Sequence, residues 1–396
     1  YGNGTKRNAS LGNSINTVAD ISYLNRDPEG IAIRDDGSLY ICAVGDDGGR
    51  IYLYNPYNSS ITVFAGAPNS NEYGENVPAT QGRIKSPYQI AVGPDSSVYV
   101  SDYTANRIRK IDPDGMISTF AGNGETIGVL GEYVPATETR LNHPDGIAVG
   151  PDGSVYVAMA DYHRIRRIDP NGIISTFAGT GIAGFSGDSS LAIDAQISIG
   201  SYDYAANRRK CGLAIGPDGS LYFGDHNNGR IRKVTPNGII TTIAGGGPYG
   251  TEALEGVPAT EVQLNHPATV AVDKDGTVYF SDGQTDRVRM VTPDGLIVNY
   301  AGALLGWSYQ RFDGDGGLAT LAHLIAPPGI VIGHDNSVYI SDATTKVIRK
   351  ITKPLPSLAL TDYAVPSEDG SEIYVFNKFG RHKYTCLLYT SDAADE

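Results

Sequence analysis

Apolar and polar positions alternate in short bursts along most of the chain, and the bursts come in a fixed order. Residues 146–179 show that order once: "GIAVG", the turn "PDG", "SVYVA", then "RIRRI", the turn "DPNG" and "IISTFAG". Period-two alternation over a few residues, punctuated by Pro-Asp-Gly and Pro-Asn-Gly, predicts four short strands, a to d, joined as an antiparallel meander.

The "SVYV"-type string of strand b begins at Ser38, Ser97, Ser154, Ser220, Thr277 and Ser337, in steps of 59, 57, 66, 57 and 60 residues. One such sheet cannot bury both of its faces, and packing the copies around an axis does so. The predicted fold is all-β: a six-bladed β-propeller of four-stranded antiparallel blades. Strand a is expected innermost, because every other position in it is small: Ala32, Ala91, Ala148, Ala214 and Ala271, with Val331 the exception. Strand c carries the basic pairs Arg109–Lys110, Arg166–Arg167, Arg232–Lys233 and Arg349–Lys350, and is expected further out, with these charges solvated.

The connections from d to the next a are long. Ala19, Ala79, Ala136, Ala192, Ala259 and Ala319 each stand five residues before Leu24, Ile84, Leu141, Ile197, Leu264 and Leu324, so all six connections are expected to fold alike. On that alignment residues 1–30 are a connection whose strand d lies upstream. Blade six runs into "TKPLPSLAL" and is expected to lack its outer strand, supplied by residues before Tyr1 in a longer chain; a seventh upstream blade is the alternative. The propeller is assigned to residues 1–354, a linker or second unit to 355–385, and an unrelated tail to 386–396.

Composition narrows the classes. The 396 residues carry a net charge of −13, which disfavours a nucleic-acid partner. No apolar run reaches the length of a membrane span, so no membrane contact is expected of this segment, and the opening residues lack the apolar core of a signal peptide. Cys42, Cys211 and Cys386 are too few, and odd in number, for a disulfide framework. Asn3, Asn8 and Asn58 match the N-glycan acceptor pattern.

The repeated string resembles the NHL repeat, over roughly residues 1–354. "PSEDGSEIYVFNKFGRHKYT" (366–385) resembles the opening of the YD-repeat shell in RHS and teneurin-like proteins, where such propellers stand beside such shells. The resemblance implies a secreted or cell-surface location and a non-catalytic scaffold. It would bind a protein partner or the adjacent YD shell through the face of the long d–a and b–c loops, at 67–86, 123–143, 180–210, 246–266 and 303–327. A metal-dependent propeller hydrolase or lactonase, or a glycan-binding module, is the alternative.

Candidate chemistry is sparse. In NHL-type amidating lyases, zinc-binding histidines stand at the head of strand a; here that slot holds Glu29, Tyr88, Asp145, Cys211, Ala268 and Pro328. No cofactor is expected, although Glu29 and Asp145 could contribute to calcium binding at the channel mouth. His143 and His266, in "LNHP", read as structural. Asp102/Arg107, Asp225/Arg230 and Asp282/Arg287 recur five residues apart and read as ion pairs bracing the b–c loops. The Gly/Asp-rich "AGFSGD" and "QRFDGDGG" read as loop turns. Tyr103, Tyr162, His163 and His226 fall on b–c loops of successive blades and, with Glu29, Tyr88 and Asp145, make up the candidate binding residues.

Overall fold

A computed structural model describes residues 13–67, 72–200, 211–250, 255–283, 285–303, 314–324 and 327–352, and the backbone of three later strands. Six antiparallel sheets circle one axis, each with its strands side by side in the order a–b–c–d. Blade 3 is representative: strand a is Pro144–Val149, b Val155–Met159, c Arg164–Ile168 and d Ile173–Ala178. Six hydrophobic clusters lie between successive blades. One joins Ile31 and Ile41 of blade 1 to Tyr339 and Ile348 of blade 6, so the ring is closed by packing as well as by pairing.

Strand a is innermost, as expected. The a strands of all six blades wall a central channel of about 290 Å³, faced by Ile31, Ile90, Ile147, Leu213, Val270 and Ile330. At its head, the Gln89 Nε2 amide and the Thr269 hydroxyl both donate to the Pro328 carbonyl, at 2.9 Å each.

Three expectations need correction. First, blade 6 does not lack its outer strand. Ser14–Asp20 ("SINTVAD") pairs antiparallel with Val347–Thr352, with Ile15 opposite Ile351. Ala19 is therefore the counterpart of Ala121 at the end of strand d, not of Ala79, and the five-residue spacing to Leu24 is a coincidence of the first copy. Second, blades 2 to 5 have a fifth, two-residue edge strand, at Val77–Pro78, Val134–Pro135, Ser190–Leu191 and Val257–Pro258. Each incoming connection laps the outside of its blade before reaching strand a. The connection into blade 1 has only residues 21–26 between strands, too few to do this, and among the described residues blade 1 keeps four strands.

Third, the charges of strand c are not all solvated. Arg109, Arg166, Arg232, Arg289 and Arg349 are at most 1% exposed. Their neighbours Lys110, Arg167, Lys233 and Lys350 point the other way and pair with Asp95, Asp152, Asp218 and Asp335 of the a–b turns.

Beyond the propeller, Tyr363–Pro366, Glu372–Phe376 and His382–Leu387 form a three-stranded sheet of their own, in chain order.

Candidate interaction face

The d–a connections and b–c loops share one face because the strands alternate direction. Each b–c loop of blades 2, 3 and 4 is one 3-10 turn closed by a left-handed residue: Asn106, His163 and Gly229. The connection leaving strand d crosses that closing residue at a glycine with φ of 87–95° (Gly122, Gly179, Gly245, Gly302). A Cβ there would stand 2.1–2.5 Å from the carbonyl oxygen of Asn106, His163, Gly229 or Asp286, so only glycine fits.

The buried arginines hold these connections from below. Arg109 Nη2 donates to the Tyr73 and Gly74 carbonyls (3.1 and 2.6 Å), and Arg166 donates to the Gly131 carbonyl. Arg232 donates to Ser186 O (3.2 Å) and Asp188 (2.8 Å). Arg349 donates to His323 O (3.0 Å) and Asp315 (2.7 Å). An acid on the connection completes each set: Glu75 and Glu132 at 3.7 and 3.4 Å from their arginines, Asp188, Asp315, and Glu255 near Arg289. The same acids bind strand d, as where Glu75 accepts from Thr119 N and Oγ1 (2.6 Å each) and Glu132 from Thr176 (2.8 and 2.5 Å). Sequence reading missed this device, and took Asp188 and Asp315 for turn residues. The usable signal was spacing: Glu75, Glu132, Glu255 and Asp315 each stand 34 residues before their arginine.

The recurring Asp/Arg pair also changes partner. Asp225 bonds Arg232 at 3.1 Å, seven residues on, and Asp282 lies 3.6 Å from Arg289, with Arg287 adding a weaker attraction. Asp102 accepts the backbone N–H groups of Lys85 (2.9 Å) and Ser86 (2.7 Å). Arg107 lies over the Tyr73 ring and Arg230 over Phe185, at 4.6 and 3.7 Å. Burial outweighs these partners and holds the carboxyls of Asp102, Asp225 and Asp282 above the usual range.

Among the remaining candidates, Tyr88, Tyr103 and His143 form a stack with centroid spacings of 4.5 and 4.6 Å, and His143 Nδ1 is 2.8 Å from Asp161. This column ties blade 2 to blade 3. His226 packs against His266 at 4.7 Å between blades 4 and 5. Tyr162 lies under Arg140, and burial lowers the His163 pKa. These aromatics are partly or wholly inside, so they order the loops beneath the outer surface. Glu29 and Asp145 are buried at the heads of their a strands. Among the described residues no group of three His, Cys, Asp or Glu side chains is placed to hold a metal ion. Cys42 and Cys211 are buried free thiols.

Among the polar residues of the face stand exposed apolar side chains. Ile127 (84% exposed) and Val129 (85%) stand on the connection into blade 3 and Ile182 (62%) on the connection into blade 4, whereas Tyr133 (77%) lies further along, where its N–H bonds the Ile174 carbonyl at the c–d-turn end of strand d.

A family model described as the teneurin NHL domain matches residues 126–204. Human teneurin-4 is 30% identical over 421 aligned residues covering 99% of this chain, as is zebrafish (Danio rerio) teneurin-3 over 427. The chain spans 14% of the length of each of these relatives. Among solved structures, a protein of unknown function from Bacteroides thetaiotaomicron superposes with a TM-score of 0.60 at 16% identity, over 86% of this chain and 76% of its own. A gluconolactonase from Xanthomonas campestris does so with 0.53 at 14% identity, over 87% and 92%. At those identities the structural likeness concerns the fold. The arginine-clamped blades, the ring closure and the sequence relatives agree: this chain is an NHL-repeat six-bladed β-propeller of the kind found in teneurin-like proteins.

Proposed function

We propose that this propeller belongs to a secreted or cell-surface protein, performs no catalysis, and is a rigid platform for a protein partner, standing beside a YD-repeat shell that begins near its last strands. The face of the d–a connections and b–c loops makes the contact. The observation that carries this reading is the exposure of Ile127, Val129 and Ile182 on loops whose bases are fixed by buried guanidiniums. Exposed apolar side chains on a pre-ordered frame favour association, because little loop entropy is lost on binding. The metal-dependent hydrolase reading draws no support from the channel head, where Gln89 and Thr269 are engaged with Pro328.

Fluorescent multimers of the propeller, applied to a panel of intact animal cells, test it. Staining should be protease-sensitive and fall at least about tenfold in the Ile127→Asp/Val129→Asp double variant, since two buried apolar contacts are worth over 1.4 kcal/mol. Asp114→Lys, on the opposite face, should leave staining unchanged. Staining that survives the double variant, or that Asp114→Lys abolishes equally, overturns the assignment of this face.

A further inference from the structure

Blade 1 differs from the others at the turn between strands c and d. Blades 2 to 5 use "DPDG", "DPNG", "TPNG" and "TPDG", with the glycine at φ of 79–82°. Blade 1 reads "NPYNSS" at 55–60, one residue longer, and Ser59 takes the left-handed position at φ 55°. The insertion creates Asn58-Ser59-Ser60, an N-glycan acceptor triplet. Asn3 and Asn8 match the same pattern but lie outside the described residues.

Three features make Asn58 more than a sequence match. The turn is outside the packed sheet, with Tyr57 84% exposed and Asn58, Ser59 and Ser60 all exposed. The Asn58 Oδ1 oxygen accepts the Ser60 N–H at 3.0 Å, an Asx turn. That turn fixes the side-chain carbonyl against the residue that must carry the hydroxyl, on an exposed side chain. Lastly, the turn opens onto Ser60–Ala65, strand d of blade 1, whose outer edge no fifth strand covers among the described residues. Among the described residues no edge strand lies there to meet a bulky substituent, whereas in blades 2 to 5 the same place is lapped by the incoming connection.

We infer that Asn58 is an N-glycosylation site, on the face opposite the proposed partner surface and at the foot of the uncovered edge. The donor is a lipid-linked oligosaccharide pyrophosphate. Asn58 Nδ2 attacks the reducing-end sugar carbon, a C–N bond forms, and the bond from that carbon to the pyrophosphate oxygen breaks. One amide proton goes to a base of the transferase, and the lipid pyrophosphate leaves. No redox change is involved. A glycan so placed would also keep the edge from pairing with other strands, the role that charges and prolines serve on other open edges.

The inference rests on the secreted or cell-surface reading, and its test needs no binding partner. The chain is expressed through the secretory pathway of cultured animal cells with its folded state verified by thermal unfolding. Peptides spanning Asn58 are then weighed before and after peptide N-glycosidase. The expected result is a glycan on Asn58 in most molecules, lost completely in Ser60→Ala and kept in Ser60→Thr, with all three proteins folded. An unmodified Asn58 peptide from secreted, folded wild-type chain overturns the inference, as does modification that persists in Ser60→Ala. Either outcome leaves the partner-face test standing, and failure of that test leaves this one standing.

Discussion

Blade 1 and blade 4 have the same meander and opposite interiors. In blade 4, Arg232 pairs with Asp225 and donates to Ser186 O and Asp188 of the incoming connection. In blade 1 the strand register puts Tyr52 where Arg232 would be and Ala43 where Asp225 would be, and both are buried. The cause is the ring closure. Because strand d of blade 6 comes from Ser14–Asp20, the chain passes directly into blade 1, and no long connection crosses its top. A guanidinium there would lack the carbonyls and the carboxylate that satisfy it elsewhere, and a buried unpaired charge is far costlier than an aromatic ring. Arginine on strand c is thus a marker of a lapped blade.

The largest expected effects test that rule in both directions. Arg232→Ala removes the cation paired with the buried Asp225 and the guanidinium donor to the Ser186 carbonyl, and should cost about 3–5 kcal/mol. Tyr52→Arg should cost a similar amount, although it makes blade 1 look more like its neighbours in sequence. Urea unfolding of both variants checks this. A Tyr52→Arg protein as stable as wild type would end the claim that the connection dictates the residue.

How much of this was legible beforehand follows the same line. Strand order, turns, inner strand a and the sixfold repeat were readable because period-two alternation and Pro-Asp-Gly are local signals. The origin of the closing strand was not. "INTVAD" is a weak copy of "ISTFAG", with Val18 and Asp20 for Phe and Gly, and the spacing of Ala19 to Leu24 happened to imitate a connection. The buried arginines were misplaced because strand position says which side of a sheet a residue faces, not whether a loop from 34 residues upstream covers that side. The candidate aromatics were placed on the correct loops, but Tyr103 and His226 turn inward onto His143 and His266, a choice made by packing between blades. Ile127 and Val129 were passed over because isolated apolar residues in a Gly-rich loop carry no periodic signal.

A smaller effect comes from the buried carboxyl itself. Asp225 has a folded-state pKa raised by burial, so the native protein holds its proton more tightly than the unfolded chain does. The resulting stabilisation is fully present below the unfolded pKa and is lost as pH rises through the folded value. Asp225→Asn should therefore cost about 1–3 kcal/mol, and the penalty should be larger at pH 4 than at pH 7. Blade 1, with Ala43 in this slot, contributes no such dependence. Urea midpoints for wild type and variant at the two pH values decide it, and a penalty that grows towards neutrality refutes the sign.

The smallest effect lies on the opposite face, and it separates the blades once more. In blade 3, Asp152 accepts the Ser154 N–H and hydroxyl (3.0 and 2.8 Å) and lies 3.1 Å from Arg167 of strand c. Blade 1 has Leu53 at the Arg167 position; Asp36 likewise accepts the Ser38 N–H (2.9 Å), but the cation near it is Arg34, at 3.8 Å. The Asp152 carboxyl is held below its ordinary value of 3.8, chiefly by the Ser154 bonds and by Arg167, against the opposing effect of partial burial. Its contribution is present above the unfolded pKa and is lost as pH falls through the lower folded value, the reverse of Asp225. The pair is solvent-exposed, so its coupling should be only about 0.2–1 kcal/mol and should shrink in molar salt. A double-mutant cycle with Asp152→Asn and Arg167→Met should return that coupling at pH 7 and none at pH 2. The matching cycle at Asp36 and Arg34 should return less, because both side chains extend from one hairpin end into solvent rather than lying across strands b and c. Equal coupling in the two blades would mean that the strand-c cation orders nothing, and that the turn alone fixes its aspartate.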